Sequence, residues 1–232
     1  MKPAHLVLAA LVALAACSAK PSTATFLSFT ESGPDGDAYP VRMLVTDKFL
    51  RIEDGDGQDG YVLFDRAARV VYSVNRTDKT TLVVRAQPVK LTPPAKFKQA
   101  VERDAETLPA VDGRPVIHYR LLTNGERCFD VYAAEGLLPE AVAALREYQQ
   151  ALAGEQAVIQ TRTPANMQSV CDLADLIFLP GRYLDQGFPV RQVNHAGVMR
   201  QLVDFKRGVP VKAGIFDLPG DYKQITTADI KD

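Results

Sequence analysis

The sequence has 232 residues with 27 basic and 28 acidic side chains, which gives a formal net charge of −1. The two signs of charge are interspersed, so the chain lacks the basic stripe that binds nucleic acid, and we expect no nucleic-acid partner. Its length is enough for one domain with a hydrophobic core and does not require a second domain.

The first residues have the pattern of an export signal. Met1–His5 is short and basic, and an uninterrupted apolar run follows from Leu6 to Ala16. A bilayer core needs about 20 apolar residues, so this run is too short to span a membrane. Its length and its place at the start of the chain are typical of a signal peptide over residues 1–16.

The end of this run resembles the bacterial lipobox, because it reads Leu14-Ala15-Ala16-Cys17. The resemblance implies cleavage before Cys17 and acylation of that cysteine, which would hold the protein on a membrane. Ser18 follows where an inner-membrane lipoprotein would carry Asp, so we expect the outer membrane, on its periplasmic side. Residues 17–24 would form the lipidated N-terminus and a tether. The alternative is an ordinary secretory signal with an incidental cysteine.

The two other cysteines, Cys128 and Cys171, would lie in an oxidising compartment, where leftover thiols usually pair. We therefore predict a disulfide between them. We predict no metal site, because the remaining histidines, His118 and His195, do not stand at a short fixed spacing from either cysteine.

The first third of the folded chain is predicted to be an antiparallel meander. Its strands are short, rich in β-branched and aromatic residues, and separated by turn sequences too short for parallel crossovers. In the fifth strand, alternation predicts one well-buried face and one partly buried face. The predicted strands are Thr25–Glu31, Val41–Thr46, Phe49–Glu53, Tyr61–Asp65, Val70–Asn75 and Thr80–Ala86.

A proline-rich connector is predicted over Gln87–Phe97, followed by a strand or loop over Val101–Leu108. Strands then resume at Pro115–Leu122 and Arg127–Ala133, and Asn124-Gly125 between them is typical of a hairpin turn.

Two helical stretches follow, within an insertion at about residues 137–180. Apolar residues at steps of three and four predict a helix from Pro139 that ends at Gly154. A second helix is predicted over Ala165–Phe178, then strands over Phe188–Asn194 and Val198–Lys206. The tail from residue 208 is predicted to be mostly irregular. The order of elements predicts an α+β fold, a single domain over residues 25–232 with a curved antiparallel sheet of about ten strands covered by helices.

The sequence contains no complete calcium-binding or catalytic motif. Asp54, Asp56 and Asp65 fit positions of a calcium loop, but Asp59 stands where that loop needs glycine, so we interpret the segment as a polar turn. His118 has no nucleophile in a Gly-x-Ser-x-Gly context to activate. We therefore predict no catalytic residue, no metal and no cofactor, and His195 is interpreted as part of a solvated turn.

The sequence pattern of the early strands resembles that of the LolA/LolB-like superfamily of periplasmic lipoprotein carriers and receptors, and more closely that of an uncharacterised branch of it. The resemblance rests on 43–52, 61–65 and 70–74, on Gly187-Phe188-Pro189-Val190, and on the closing segment 216–222. It implies an incomplete β-barrel covered by helices, with an apolar concave face that can hold acyl chains in the family. The chain lacks a recognisable exposed apolar insertion loop, and its disulfide-bearing helical insertion is not a feature of the carriers.

Two functions are compatible with the sequence. The first is a non-catalytic lipoprotein that binds an apolar or amphipathic ligand, a lipid or lipoprotein, or an envelope partner in the concave face. The alternative is a structural or stress-sensing interaction protein in which side chains fill that face. An enzyme is the least favoured class. The sequence determines neither the ligand-binding residues nor the oligomeric state.

Overall fold

A computed structural model describes residues 23–55 and 57–229 of the chain. The predicted signal over residues 1–16, Cys17, the tether up to residue 22, and Asp56 lie outside the described residues. The strands are β1 Thr23–Ser32, β2 Ala38–Val45, β3 Phe49–Asp54, β4 Gly60–Asp65, β5 Val70–Asn75, β6 Thr80–Arg85, β7 Gln99–Val111, β8 Arg114–Thr123, β9 Glu126–Ala134, β10 Phe188–Asn194, β11 Met199–Pro210 and β12 Lys223–Ile225.

All of these strands belong to one unclosed sheet, in the order β12-β6-β5-β4-β3-β2-β1-β11-β10-β9-β8-β7. The described pairs are antiparallel except that β12 runs parallel to β6. Asn124 and Gly125 form the β8–β9 turn with φ angles of 54° and 88°, as the Asn-Gly signal predicts. The meander and the α+β architecture are confirmed: a curved antiparallel sheet, an incomplete barrel, with helices packed against it.

Several strand boundaries differ from the prediction, and three segments matter for the architecture of the sheet. β1 begins at Thr23. Ala24 is buried and pairs with Val209, so Thr23 and Ala24 belong to the sheet and not to the tether. Residues 101–108, for which the sequence left a strand or a loop open, lie in the long edge strand β7. The tail adds β12, which pairs with the β6 edge, so the described sheet has twelve strands.

Helix α1, Pro139–Arg162, lies against one face of the sheet, called here the helix face. Small and apolar side chains such as Ala141, Ala144 and Leu145 are fully or almost fully buried, so the backbone lies close to the sheet and fills the space above it. Three glutamates at steps of seven and eight residues tie this helix to the rest of the chain. The pairs are Glu140 with Thr25 Oγ1 at 3.1 Å, Glu147 with Arg66 Nε at 2.7 Å, and Glu155 with Gln87 Nε2 at 3.2 Å.

The predicted end of α1 at Gly154 is wrong. The helix continues to Arg162, and Gly154 is a point of close approach to the connector. A Cβ at this position would lie 2.2 Å from the carbonyl oxygen of Gln87. The glycine is therefore explained by packing and not by helix termination.

The second predicted helix is a series of short pieces. They are a 3₁₀ turn at Ala165–Met167, an α-helical turn at Val170–Asp172, a π-helix at Leu173–Phe178 and a 3₁₀ turn at Arg182–Gln186. Residues 170–178 are called here the lid segment. No helix in the described part of the chain is both long and apolar enough to cross a membrane.

Both faces of β4 and β5 are covered, which differs from the predicted partly buried second face. Phe64 and Val71 pack in the main core under α1. On the opposite face, Tyr61, Leu63 and Val74 form a second cluster that also contacts Phe216, Leu218 and Tyr222 of the tail. The tail is therefore a strap that buries an otherwise solvated face.

Candidate functional site

Four polar side chains lie opposite one another across four adjacent strands of the helix face. Tyr39 on β2 faces Glu31 on β1, Glu31 faces Arg200 on β11, and Arg200 faces Gln192 on β10. These residues are called here the polar row. Alternation along β1 explains its position: Leu27 and Phe29 are buried in the core, so Glu31 is the next side chain on the same face.

Glu31 is held at the centre of the polar row by two partners. Tyr39 Oη donates to Glu31 Oε1 at 2.9 Å, and Arg200 Nη2 lies 2.6 Å from Glu31 Oε2. The Arg200 guanidinium also lies over the Phe29 ring, 5.8 Å from its centroid. The side chains of Glu31 and Arg200 are only 15% and 25% exposed, so water screens this ion pair less than a surface pair.

Burial shifts the pKa of one member of the polar row and of one neighbouring carboxylate. Burial raises the pKa of Tyr39, and its hydrogen bond to Glu31 adds to the shift. The pKa of Asp54, at the end of β3, is also raised, first by burial and then by the charge of Glu31, while Arg200 opposes the shift. The helix face beyond α1 is therefore a charged, partly desolvated surface.

One cleft, called here the hairpin cleft, lies at the Tyr39 end of the polar row and has a volume of 470 Å³. Ile52 and Val62 are cross-strand partners that supply apolar surface, and Asp54 and Asp59 supply carboxylates. Its lining comprises Tyr39, Ile52, Asp54, Gly55, Asp59, Gly60, Tyr61, Val62, Ser73 and Val74.

A second cleft, called here the lid cleft, lies at the other end of the row and has a volume of 210 Å³. It contains three members of the polar row together with residues of the lid segment, α1 and the β10–β11 hairpin. Its lining comprises Glu31, Phe129, Gln149, Asp175, Leu176, Tyr183, Gln192, Asn194, Val198 and Arg200.

The lid segment is attached to the sheet by covalent and ionic contacts. Cys171 and Cys128 form a disulfide with Cα atoms 5.1 Å apart, so the predicted pair is present in the structure. Buried Arg182 contacts Asp175 and donates from Nη2 to Thr123 Oγ1 at 3.0 Å. These contacts fix the lid segment over one end of the polar row.

A third cleft of 230 Å³, called here the connector cleft, lies between α1 and the connector that follows β6. Leu91, Ala157 and Val158 give it a mainly apolar lining, and Lys90 is the charged residue among those that line it. It is the most apolar of the three clefts, but it lies outside the polar row.

The histidines singled out in the sequence do not join the polar row. His118 is 4% exposed, stacks on Tyr132 with ring centroids 4.3 Å apart, and its Nε2 lies 2.9 Å from Asp130 Oδ1. His195 is in the β10–β11 turn, as predicted, but its Nε2 lies 2.8 Å from Asp172 Oδ1. It therefore ties that turn to the lid segment.

The acidic run after β3 contributes to the site in a way that its sequence did not indicate. It is a polar turn between β3 and β4, and Asp54 and Asp59 line the hairpin cleft. Over residues 23–55 and 57–229, no three His, Cys, Asp or Glu side chains are grouped to hold a metal ion. Sequence reasoning missed the polar row, because its grouping depends on strand register, and it missed Asp175, because its position depends on how the lid segment packs on the sheet.

No protein-family model and no curated protein matches the sequence. Solved structures do resemble the fold. An uncharacterized conserved protein from Thermus thermophilus has a TM-score of 0.44 and 10% identity, over 88% of this chain and 91% of that chain. MucB in the MucA/MucB complex of Pseudomonas aeruginosa has a TM-score of 0.40 and 12% identity, over 90% of this chain and 60% of that chain. The LolA superfamily protein NE2245 from Nitrosomonas europaea has a TM-score of 0.30 and 8% identity, over 86% of this chain and 91% of that chain.

Proposed function

We propose that the protein is a non-catalytic binding module of the bacterial envelope that engages an amphipathic polypeptide along the polar row. Cys17 would carry the acyl chains that anchor it, and Ser18 after that cysteine favours the periplasmic side of the outer membrane. The observation that carries the proposal is the row itself, a fixed line of polar groups between two clefts on the part of the helix face that α1 leaves open.

The packing under α1 disfavours an acyl chain as the ligand of the helix face. The apolar part of that face is filled by the helix, with Leu138, Ala141 and Leu145 almost fully buried. The open part combines apolar surface, such as Ile52 and Val62, with carboxylates and a guanidinium. An amphipathic polypeptide supplies both kinds of partner, whereas an acyl chain would leave these polar groups without partners.

The charge of the two clefts favours a basic partner. In the lid cleft, Glu31 is paired with Arg200, and Asp175 is paired with Arg182. The charged residues that line the hairpin cleft are the carboxylates Asp54 and Asp59, so the excess of negative charge lies there. Complementary charge steers association and raises specificity, so a cationic segment is the best match.

Binding is tested with two synthetic peptides of equal length, one alternating Leu and Lys and the other alternating Leu and Glu. The protein is the exported full-length chain with Cys17→Ser, and isothermal titration calorimetry gives the dissociation constants. We expect the Lys peptide to bind and the Glu peptide not to bind. Asp54→Asn should weaken binding about tenfold, as for loss of one charge-assisted contact.

Asp204→Asn is the matched control, because Asp204 is exposed and lies outside both clefts. It should bind the Lys peptide as the parent chain does. Equal affinity for both peptides, or equal weakening by both substitutions, would contradict the proposal. Absence of binding would favour the alternative, a structural or stress-sensing protein whose helix face serves only internal packing.

The anchor is tested separately in a Gram-negative host. Labelled palmitate should enter the wild-type chain, and the chain should co-sediment with outer membranes, while Cys17→Ser should be unlabelled and soluble in the periplasm. Replacement of Ser18 by Asp should move the labelled protein to the inner membrane. Labelling that survives the Cys17→Ser change would exclude this cysteine as the anchor.

A further inference from the structure

Asp175 is a buried carboxylate with one oxygen that lacks a partner. It lies in the lid segment, is 6% exposed, and contacts Arg182 through Oδ1. Its Oδ2 atom is buried and has no hydrogen-bond partner within the described part of the chain. Burial raises the pKa of Asp175, although Arg182 opposes the shift, so one guanidinium does not fully compensate the carboxylate.

Gln192 presents a second acceptor to the same cleft. Its Oε1 atom is also buried and lacks a partner among the described residues, and both Gln192 and Asp175 line the lid cleft. Glu31, a third acceptor of the cleft, is already bonded to Tyr39 and Arg200. The unsatisfied groups are therefore acceptors, and their ideal partner is a group with several donors.

An ammonium group has three N–H donors, a positive charge and no acceptor. The cleft also offers surface for an alkyl stem, because Phe129, Leu176 and Val198 line it. Lysine side chains commonly bury their methylenes on apolar surface and direct the ammonium to polar groups. A volume of 210 Å³ is large enough for such a side chain but not for a folded domain.

We infer that the lid cleft is a subsite for the alkylammonium group of a lysine side chain, with Asp175 Oδ2 and Gln192 Oε1 as acceptors. This inference rests on the proposed polypeptide partner and names the residue that the cleft would recognise.

The test uses two small probes of equal stem length, N-acetyl-lysine amide and N-acetyl-norleucine amide, which differ by the ammonium group. They are titrated into the exported full-length chain with Cys17→Ser, and binding is followed by NMR chemical shifts. We expect saturable binding of the lysine probe, with shifts in the lid segment and at Gln192, and at least tenfold weaker binding of the norleucine probe.

Three substitutions separate the subsite from general effects on folding. Asp175→Asn and Gln192→Leu should each weaken the lysine probe about tenfold. Asp172→Asn is the matched control, because it removes the same charge three residues away but its partner is His195 outside the cleft. If Asp175→Asn unfolds the chain through loss of the Arg182 contact, Gln192→Leu still decides the question.

Equal affinity for both probes would overturn the inference, as would unchanged binding in the Gln192→Leu chain. Absence of saturable shifts with the lysine probe would mean that water alone satisfies the two acceptors, which also overturns it. The proposed function can be judged independently. If the alternating Lys peptide binds but the lysine probe does not, the subsite is wrong; if only the probe binds, the proposed binding of a polypeptide along the polar row is wrong.

Discussion

Arg200 and Glu31 are cross-strand partners on β11 and β1, and they are joined twice, through Arg200 Nε at 2.7 Å and Nη2 at 2.6 Å from Glu31 Oε2. Both side chains are mostly buried, so removal of either one leaves a desolvated charge. We expect a double-mutant cycle with Glu31→Gln and Arg200→Met to give a coupling free energy of about 1–2 kcal/mol, above the usual range for exposed pairs.

The measurement is the free energy of unfolding in urea for the parent chain, both single variants and the double variant. Arg207→Met with Asp112→Asn provides a comparison, because that pair joins β11 to the β7–β8 turn at 3.0 Å but is about half exposed. Its coupling should be below about 1 kcal/mol. A coupling for Glu31 and Arg200 no larger than for this pair would mean that the polar row adds no more stability than an exposed contact.

Gly154→Ala should destabilise the protein although alanine is the better helix former. Its Cβ would meet the Gln87 backbone oxygen at 2.2 Å, so the connector or α1 must shift. Overpacking costs about 1–3 kcal/mol and the gain in helix propensity is about 1 kcal/mol, so we expect a net loss of up to about 2 kcal/mol. Gly220→Ala is the control, because nothing lies within 4 Å of its Cβ position. A stabilised Gly154→Ala chain would contradict the close approach.

The sequence predicts the strands well, because alternation and turn residues are local signals. The strand over Val70–Asn75 and the Asn124-Gly125 turn are correct. Gly154 shows where local reasoning fails. A glycine inside an apolar helical pattern can mark an end or a packing contact, and only the tertiary position of Gln87 decides between them.

The candidate site could not be predicted from the sequence for a related reason. Glu31 and Arg200 are 169 residues apart, and their contact depends on the register of β1 against β11. Residue type alone favours a solvated surface for such side chains. The candidate anchor, in contrast, follows from the resemblance of residues 14–17 to the lipobox, and the disulfide partners follow from the count of remaining cysteines and the expected compartment, none of which requires a fold.

The disulfide should stabilise the fold and order the lid segment. Cys128 and Cys171 are 43 residues apart, and the loop-entropy estimate for this length is about 4 kcal/mol. Replacing both cysteines by Ala should lower the free energy of unfolding by about 2–4 kcal/mol and speed amide exchange in residues 170–178. Reductant should lower the stability of the parent chain but not that of the double variant. Unchanged exchange in the lid segment would show that other contacts hold it.

Ionisation of Asp175 should lower the free energy of unfolding as the pH rises. Its pKa in the folded protein is raised above the ordinary value of 3.8, mainly by burial, so the folded state holds this proton more tightly than the unfolded chain. The stabilising effect is complete below pH 3.8 and is lost as pH rises through the raised pKa. Asp175→Asn should remove this part of the pH dependence.

Urea unfolding at a series of pH values from about 3.5 to 7 measures the effect, as the difference between the variant and the parent chain. Asp204→Asn serves as the control, since its side chain is 53% exposed and it is not among the charges that shift the pKa of Asp175. If the free energies of unfolding of the parent chain and of Asp175→Asn change in parallel with pH, the buried carboxylate does not titrate over this range.

The tail strap should be required for full stability because it buries a second hydrophobic cluster. Phe216 stacks on Phe49 with ring centroids 5.3 Å apart, Arg51 Nη1 donates to the Ile215 carbonyl at 2.8 Å, and Tyr61 Oη donates to the Asp217 carbonyl at 3.0 Å. Because Phe216 is only partly buried, Phe216→Ala should lower the free energy of unfolding by about 2 kcal/mol, less than for a fully buried phenylalanine.

Phe216→Leu is the control that keeps an apolar side chain, and it should lose less than about 1.5 kcal/mol. Loosening the strap should also weaken the pairing of β12 with β6, and an uncovered β6 edge can pair with a second chain. Analytical ultracentrifugation should therefore detect self-association of Phe216→Ala but not of Phe216→Leu. Equal stability of the two variants, with both monomeric, would mean that the tail neither stabilises the second hydrophobic cluster nor shields the β6 edge.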